Sequence, residues 1–286
     1  MIFNSDLVDD LAREKVVLFL GAGVSASAVT AAGGKISDWG SFLDKSCEHV
    51  SEKVGSQVKG LLEKKDFLLA CEILQGALAD TWEDYVKAEF GQKATPSALH
   101  NSIINLGQRL ILTTNFDKLL ETAWEAIDAK ATHYPTVLSS LNEDVFRALK
   151  DHSGKYLVKI HGTVDDAKSL VFSRSEYIRL AFGNSSYSGF LENLLLNYTF
   201  LFVGFSMDDP AITSLMEMYA FRYPAARPHY IFASEDIPEN ILDINKRLRK
   251  LIYMSYKGHE NLPPLIDKLG EAARERRKQI LAASLV

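Results

Sequence analysis

The segment Val16-Val17-Leu18-Phe19-Leu20-Gly21-Ala22-Gly23-Val24-Ser25-Ala26 decides how the chain is read. An unbroken apolar run, without polar alternation, describes a strand covered on both faces, as in a parallel sheet. The glycines end the run, and the small residues after them can open a helix. Strand, Gly21-x-Gly23-x-x-Ala26 turn and helix start form the context of a pyrophosphate-binding turn. There, glycines let backbone amides approach the anion and the helix N-terminus favours its charge. A tight strand-to-helix turn also wants glycine, so both readings stay open on this motif alone. The acid expected ~20 residues on, at the end of a second strand, is not obvious. Asp38 lies at about that distance, but inside a Gly-rich loop.

Further strand-length runs are Arg109 to Thr113, Tyr156 to Ile160, Phe200 to Val203, Tyr230 to Ala233 and Leu251 to Met254. Amphipathic segments such as Phe116 to Asp128 and Asp209 to Phe221 separate them. Strands alternating with helices predict an α/β fold: a parallel sheet with crossover connections and helices on both faces. Phe42 to Phe90 reads as helical throughout, which predicts a small helical insertion over residues 42–95 after the first strand. Residues 262–286 read as a C-terminal helical tail after Pro263-Pro264, with a basic cluster at Arg274, Arg276, Arg277 and Lys278. That cluster is either a solvated helix face or a partner contact. Length alone, at ~150 residues per domain, allows two units; the motif order favours a single domain over 1–286.

The chain has 286 residues, 47% hydrophobic and 24% charged, with a formal net charge of −5, which places it among globular proteins. The charge argues against a broad nucleic-acid surface. With 2 cysteines, Cys47 and Cys71, the chain has neither a four-cysteine zinc module nor a disulfide framework. His49, His100, His133, His152, His229 and His259 show no ligand spacing, so no metal is expected. The N-terminal stretch has no long apolar segment of a signal peptide. Leu194 to Phe205 is too short to span a bilayer. A cytoplasmic protein without membrane contact is expected.

The ends of the apolar runs carry the unusual residues, where open parallel sheets bind their ligands. They read Gly21-Ala22-Gly23-Val24-Ser25-Ala26, Thr114-Asn115-Phe116-Asp117, His161-Gly162 and Gly204-Phe205-Ser206. Asn115 and Asp117 can be turn and helix-cap residues, or a neutral amide and a carboxylate facing a phosphate–sugar cleft. His161 can be structural. With an ordinary pKa near ~6.5 it is also the natural general base at the same edge.

Together, Gly21-Ala22-Gly23-Val24-Ser25, Thr113-Thr114-Asn115-Phe116-Asp117, Lys159-Ile160-His161-Gly162 and Gly204-Phe205-Ser206 resemble the sirtuin superfamily, in the same order along residues 14 to 235. Val171-Phe172-Ser173-Arg174-Ser175-Glu176-Tyr177 looks like the segment that often follows the histidine in prokaryotic relatives. The resemblance implies an NAD-binding Rossmann-type domain. In it Asn115 and His161 take the catalytic asparagine and histidine positions, and Asp117 lies near the nicotinamide ribose. Gly21, Ala22, Gly23 and Ser25 would line the phosphates, with Thr114 beside Asn115, and Gly204 and Ser206 beside the adenosine half. Asp38 and Trp39 stand where the family's Pro-Asp-Phe-Arg loop lies, without its arginine.

The departures steer the function. Two cysteines where protein-deacylating sirtuins carry four zinc ligands put acyl-lysine binding in doubt. The pattern looks like the zinc-free sirtuin-like NAD hydrolases of anti-phage systems. It implies NAD⁺ as substrate, cleaved to nicotinamide and ADP-ribose, with no metal. Trp39 and Phe116 either wall the nicotinamide pocket or belong to the core. A free NAD hydrolase would be toxic, so a switch is expected, in a homo-oligomer or in a separate activating protein. For the latter the resemblance implies a HerA-type ATPase first and a short Argonaute second, because no residues are left for a fused sensor. Nucleic acid would be met only through that partner. An NAD-dependent deacylase and a non-catalytic NAD or ADP-ribose-binding subunit are the alternatives.

Overall fold

The computed structural model describes residues 3–127, 134–207, 209–233 and 237–284. Among them the strands are β1 (Val16–Leu20), β2 (Val29–Thr30), β3 (Ala94–Thr95), β4 (Leu110–Thr113), β5 (Thr136–Leu138), β6 (Tyr156–Lys159), β7 (Thr199–Val203), β8 (His229–Ala233) and β9 (Leu251–Ser255). Seven form one sheet in the order β5-β6-β4-β1-β7-β8-β9. Every pairing in it is parallel. The expected α/β Rossmann-like architecture is therefore what the chain adopts.

β1 is central, and its alternating side chains build two separate cores. Val16, Leu18 and Leu20 pack with Leu7, Leu11, Trp124, Ile266 and Leu269 on one face. Val17 and Phe19 pack with Phe190, Leu194, Phe202 and Met216 on the other. All five β1 residues are buried. At roughly 1.5–3 kcal/mol per buried large apolar side chain, this double burial is why the run tolerates no polar residue. The chain leaves β1 to β4 on one side and later returns to β7 on the other. The crevice between these strands at their carboxyl ends is the topological switch point.

The helical stretch after β1 resolves into helices Trp39–Ser46, Glu52–Glu63, Phe67–Leu78 and Trp82–Phe90 around their own core of Phe42, Leu43, Leu74, Trp82 and Phe90. The antiparallel pair β2–β3, Val29 opposite Thr95, clasps the two ends of this module. The edge strand β5 and this clasp escape a reading of the sequence, because three and two residues carry no usable periodicity.

The tail helix Leu262–Ala283 lies against the first helix, Ser5–Ala12, through Leu262, Ile266, Leu269 and Ala273. Its basic residues are largely spent within the chain. Arg276 pairs with Asp9, and Arg277 donates to the Ala12 carbonyl at 2.8 Å and to Glu14 at 2.7 Å. The cluster thus reads as a clamp on the N-terminal helix.

Candidate functional site

The parallel register aligns Leu20 with Thr113 and Val203, and Thr113 with Lys159. The loops after β1, β4, β6 and β7 consequently start side by side. The β1 and β7 loops touch backbone to backbone. Gly21 N donates to Val203 O at 3.0 Å and Gly23 N to Gly204 O at 2.9 Å. A Cβ on Gly21 would stand 2.5 Å from Gly204 O, and one on Gly204, at φ +61°, would stand 2.6 Å from Val24 N. These glycines are therefore required for close packing of two loops, and the Gly21 and Gly23 amides are engaged there. Ala22 and Gly23 form the exposed edge of the turn.

Behind that edge sits a buried polar network. Asn115 Nδ2 donates to Gly21 O at 2.9 Å and to Ser25 Oγ at 2.7 Å. Ser25 Oγ in turn donates to Asp117 Oδ2. The other carboxylate oxygen, Oδ1, accepts from Leu119 N at 3.0 Å and caps the helix Leu119–Ile127. Asp117 thus caps a helix with one oxygen and holds the Ser25 hydroxyl with the other. Ser25, Asn115 and Asp117 are 6%, 9% and 7% exposed. With both amide protons of Asn115 committed, its Oδ1 is the end left for a ligand hydroxyl or water.

Lys159 supports the network from below. Its Nζ donates to Asp117 O and, at 2.9 Å, to Glu121 Oε1. Both side chains are buried. A lysine closing an apolar strand is anomalous until these acceptors are seen.

His161 follows β6 and is buried. Its Nε2 lies 3.5 Å from Asp209 Oδ2. Burial pushes the imidazole below its ordinary pKa and the Asp209 carboxylate opposes that shift, so the ring is neutral at pH 7 and able to accept a proton. Asp209 caps the helix Pro210–Arg222, its Oδ1 accepting from Ala211 N and Ile212 N, both at 3.0 Å. The same oxygen accepts from the Tyr177 hydroxyl. Tyr177 is presented by the helix Arg174–Gly183, which the reciprocal Ser173–Glu176 capping box starts. Val164 N donating to Phe116 O at 3.1 Å, and Val171 N to His161 O at 3.0 Å, tie the Asn115 and His161 loops to one layer.

Thr114 N donates to Leu20 O at 3.2 Å, which holds that loop against β1. Ser206 is exposed beyond Gly204. Asp38 and Trp39 are instead held by the helical module. Asp38 caps the helix Trp39–Ser46 by accepting from Ser41 N at 2.8 Å. Trp39 Nε1 donates to the buried Cys71 sulfur at 3.2 Å, and its ring stacks on Phe67. Phe116 packs against Phe172 with ring centroids 4.3 Å apart. Sequence reasoning passed over Lys159, Glu121, Tyr177 and Asp209 as site residues. An acid before Pro210 does signal a helix cap, but nothing along the chain shows that its second oxygen faces His161.

Among the described residues, no group of three or more His, Cys, Asp or Glu side chains is placed to hold a metal ion. No helix among them is long and apolar enough to cross a membrane.

Residues 109–256 match the SIR2-like domain family, and the chain belongs to it. It is similar to "Defense-associated sirtuin 2" of Bacillus subtilis, 26% identical over 216 residues, covering 74% of this chain and 20% of that protein. It is also similar to "NAD(+) hydrolase ThsA" of Bacillus cereus (strain MSX-D12), 27% identical over 258 residues, with 87% of this chain and 50% of the relative covered. The protein of the same name from Enterococcus faecium is 29% identical over 163 residues, 54% of this chain and 31% of its own length. The chain therefore spans between 20% and 50% of the length of these relatives.

Proposed function

We propose that this site hydrolyses the bond between nicotinamide and ribose in NAD⁺, giving nicotinamide and ADP-ribose, and that the chain depletes NAD⁺ in anti-phage defence. The observation carrying this is the Asn115 amide, pinned by Gly21 O and Ser25 Oγ so that Oδ1 remains, beside a buried neutral His161 at the next strand end. Family membership and the names of the relatives support the substrate.

Nicotinamide leaves as a neutral base from a cationic ring, so no acid is needed to protonate it. The C–N electron pair goes to the pyridinium nitrogen as positive charge builds on the ribose, as in glycoside hydrolysis. A water forms the new C–O bond and gives up one proton. Asn115 Oδ1 orients that water or a ribose hydroxyl, and His161 accepts the proton, help worth ~10²–10⁴-fold. Asp117 adds charge and hydrogen-bonding support near the ribose. Gly21, Ala22, Gly23, Ser25, Thr114, Gly204 and Ser206 line the dinucleotide; Asp38 and Trp39 border the nicotinamide end, on a module whose Phe90 packs on Phe116 beside Asn115.

An unrestrained NAD⁺ hydrolase would poison its own cell. We assign the switch that activates it to homo-oligomerisation or to a separate activating protein, a HerA-type ATPase ahead of a short Argonaute, in the cytoplasm. Nucleic acid reaches the system through that partner. The test is incubation with NAD⁺, alone and with the product of the neighbouring gene, following nicotinamide and ADP-ribose. Folded Asn115→Ala and His161→Ala variants are expected to lose at least a hundredfold in turnover. Persistent inactivity of the unsubstituted chain in every assembly state overturns the proposal.

A further inference from the structure

The carboxylate of Asp209 is held in an unusually one-sided way. Its Oδ1 takes the helix-capping amides of Ala211 and Ile212 and the Tyr177 hydroxyl, while Oδ2 faces His161 Nε2 at 3.5 Å. His161 Nε2 is buried with no hydrogen-bond partner among the described residues. The Tyr187 hydroxyl, from the helix Ser185–Asn197, is likewise buried and unpartnered near the same carboxylate. Burial and the Asp209 charge push both Tyr177 and Tyr187 well above the ordinary phenol range, so both remain neutral. The charge facing the imidazole is thus that of Asp209.

We infer that Asp209 is a positioning residue that fixes His161 as the Nε2–H tautomer, leaving Nδ1 as the nitrogen that accepts the proton. This rests on the reading of His161 as the general base. A carboxylate accepts only, so the nitrogen it faces must carry the hydrogen. Gly204 and Met207, after the end of β7, both have positive φ, +61° each. Catalytic hydrogen bonds are often long without substrate, and 3.5 Å closes to contact with a small ring movement. No atom of Asp209 needs to touch NAD⁺ for this role.

Asp209→Asn tests the idea without removing the cap, because asparagine caps helices about as well as aspartate. Its carbonyl oxygen must take the place of Oδ1 to satisfy Ala211, Ile212 and Tyr177. The amide NH₂ then stands where Oδ2 stood and donates to Nε2. The tautomer inverts, and Nδ1 carries a hydrogen it cannot use to accept another. Nitrogen-15 shifts of labelled His161, assigned by its absence in His161→Gln, read the tautomer in the substrate-free protein at neutral pH. The expected result is Nε2–H in the unsubstituted chain and Nδ1–H in Asp209→Asn, with kcat on NAD⁺ down ~10²–10⁴-fold and KM within a few-fold. Tyr177→Phe, which keeps the carboxylate, is expected to retain the Nε2–H tautomer. An unchanged tautomer in a folded Asp209→Asn variant overturns the inference. If the tautomer inverts but the unsubstituted chain never cleaves NAD⁺, the positioning stands and the hydrolase proposal falls.

Discussion

Replacing Lys159 by Met probes how the buried support of the site is held. Lys159 is 1% exposed and its partner Glu121 7% exposed, with Nζ and Oε1 2.9 Å apart. The second carboxylate oxygen, Oε2, is buried without a hydrogen-bond partner among the described residues. Removing the ammonium leaves Glu121 as an uncompensated buried charge, which costs about 3–5 kcal/mol. It also strips the Asp117 carbonyl of its donor, about 1–3 kcal/mol if the carbonyl stays buried. The single variant should therefore lie ~4–8 kcal/mol below the unsubstituted chain. Adding Glu121→Leu removes the stranded carboxylate and leaves only the carbonyl term, so the double variant should recover to within ~1–3 kcal/mol. Urea unfolding at constant m, evaluated as a double-mutant cycle, reads both values. A double variant as unstable as Lys159→Met, or a single variant within about 1 kcal/mol of the parent, refutes this electrostatic account.

Gly204→Ala combines a left-handed φ, ~1–2 kcal/mol, with a Cβ 2.6 Å from Val24 N, overpacking worth ~1–3 kcal/mol. Gly107→Ala, at φ +69° with nothing within 4 Å of the added carbon, should show the backbone cost alone; equal losses for both in urea would deny the close approach of the β1 and β7 loops. Burial holds His100 down at about 4, and burial plus Lys250 holds His229 at about 3. Their folded pKa values lie below the unfolded one, so the unfolded chain binds protons first and stability falls as pH drops from about 6.5 toward 3. The loss is on the order of 3 kcal/mol for His100 and 5 kcal/mol for His229. Chemical denaturation between pH 7 and 4 should show it, and His229→Gln should flatten the slope.

The sheet was legible because Val16 to Leu20 and its counterparts are buried on both faces, which forbids the polar alternation that would blur them. β5 was not legible, since Thr136–Leu138 is short and partly exposed at an edge. The strand-end residues Gly21, Asn115, Asp117, His161 and Gly204 stood out because glycines and polar residues directly after apolar runs need a cause. What supports them came only from space. The Lys159–Glu121 pair joins residues on two elements, and Asp209 approaches His161 from a helix cap whose local reason is complete without it. Asp38 and Trp39 show the converse: their sequence positions suggested the site, while their bonds belong to the helical module.

The most direct measurement is the release of nicotinamide and ADP-ribose from NAD⁺ by the concentrated purified chain, beside Asn115→Ala and His161→Ala variants shown to be folded. Hydrolysis at this site predicts equal amounts of the two products from the unsubstituted chain and, from each variant, a rate lower by ~10²-fold or more. Release that survives both substitutions, or none from the unsubstituted chain in any assembly state, contradicts it.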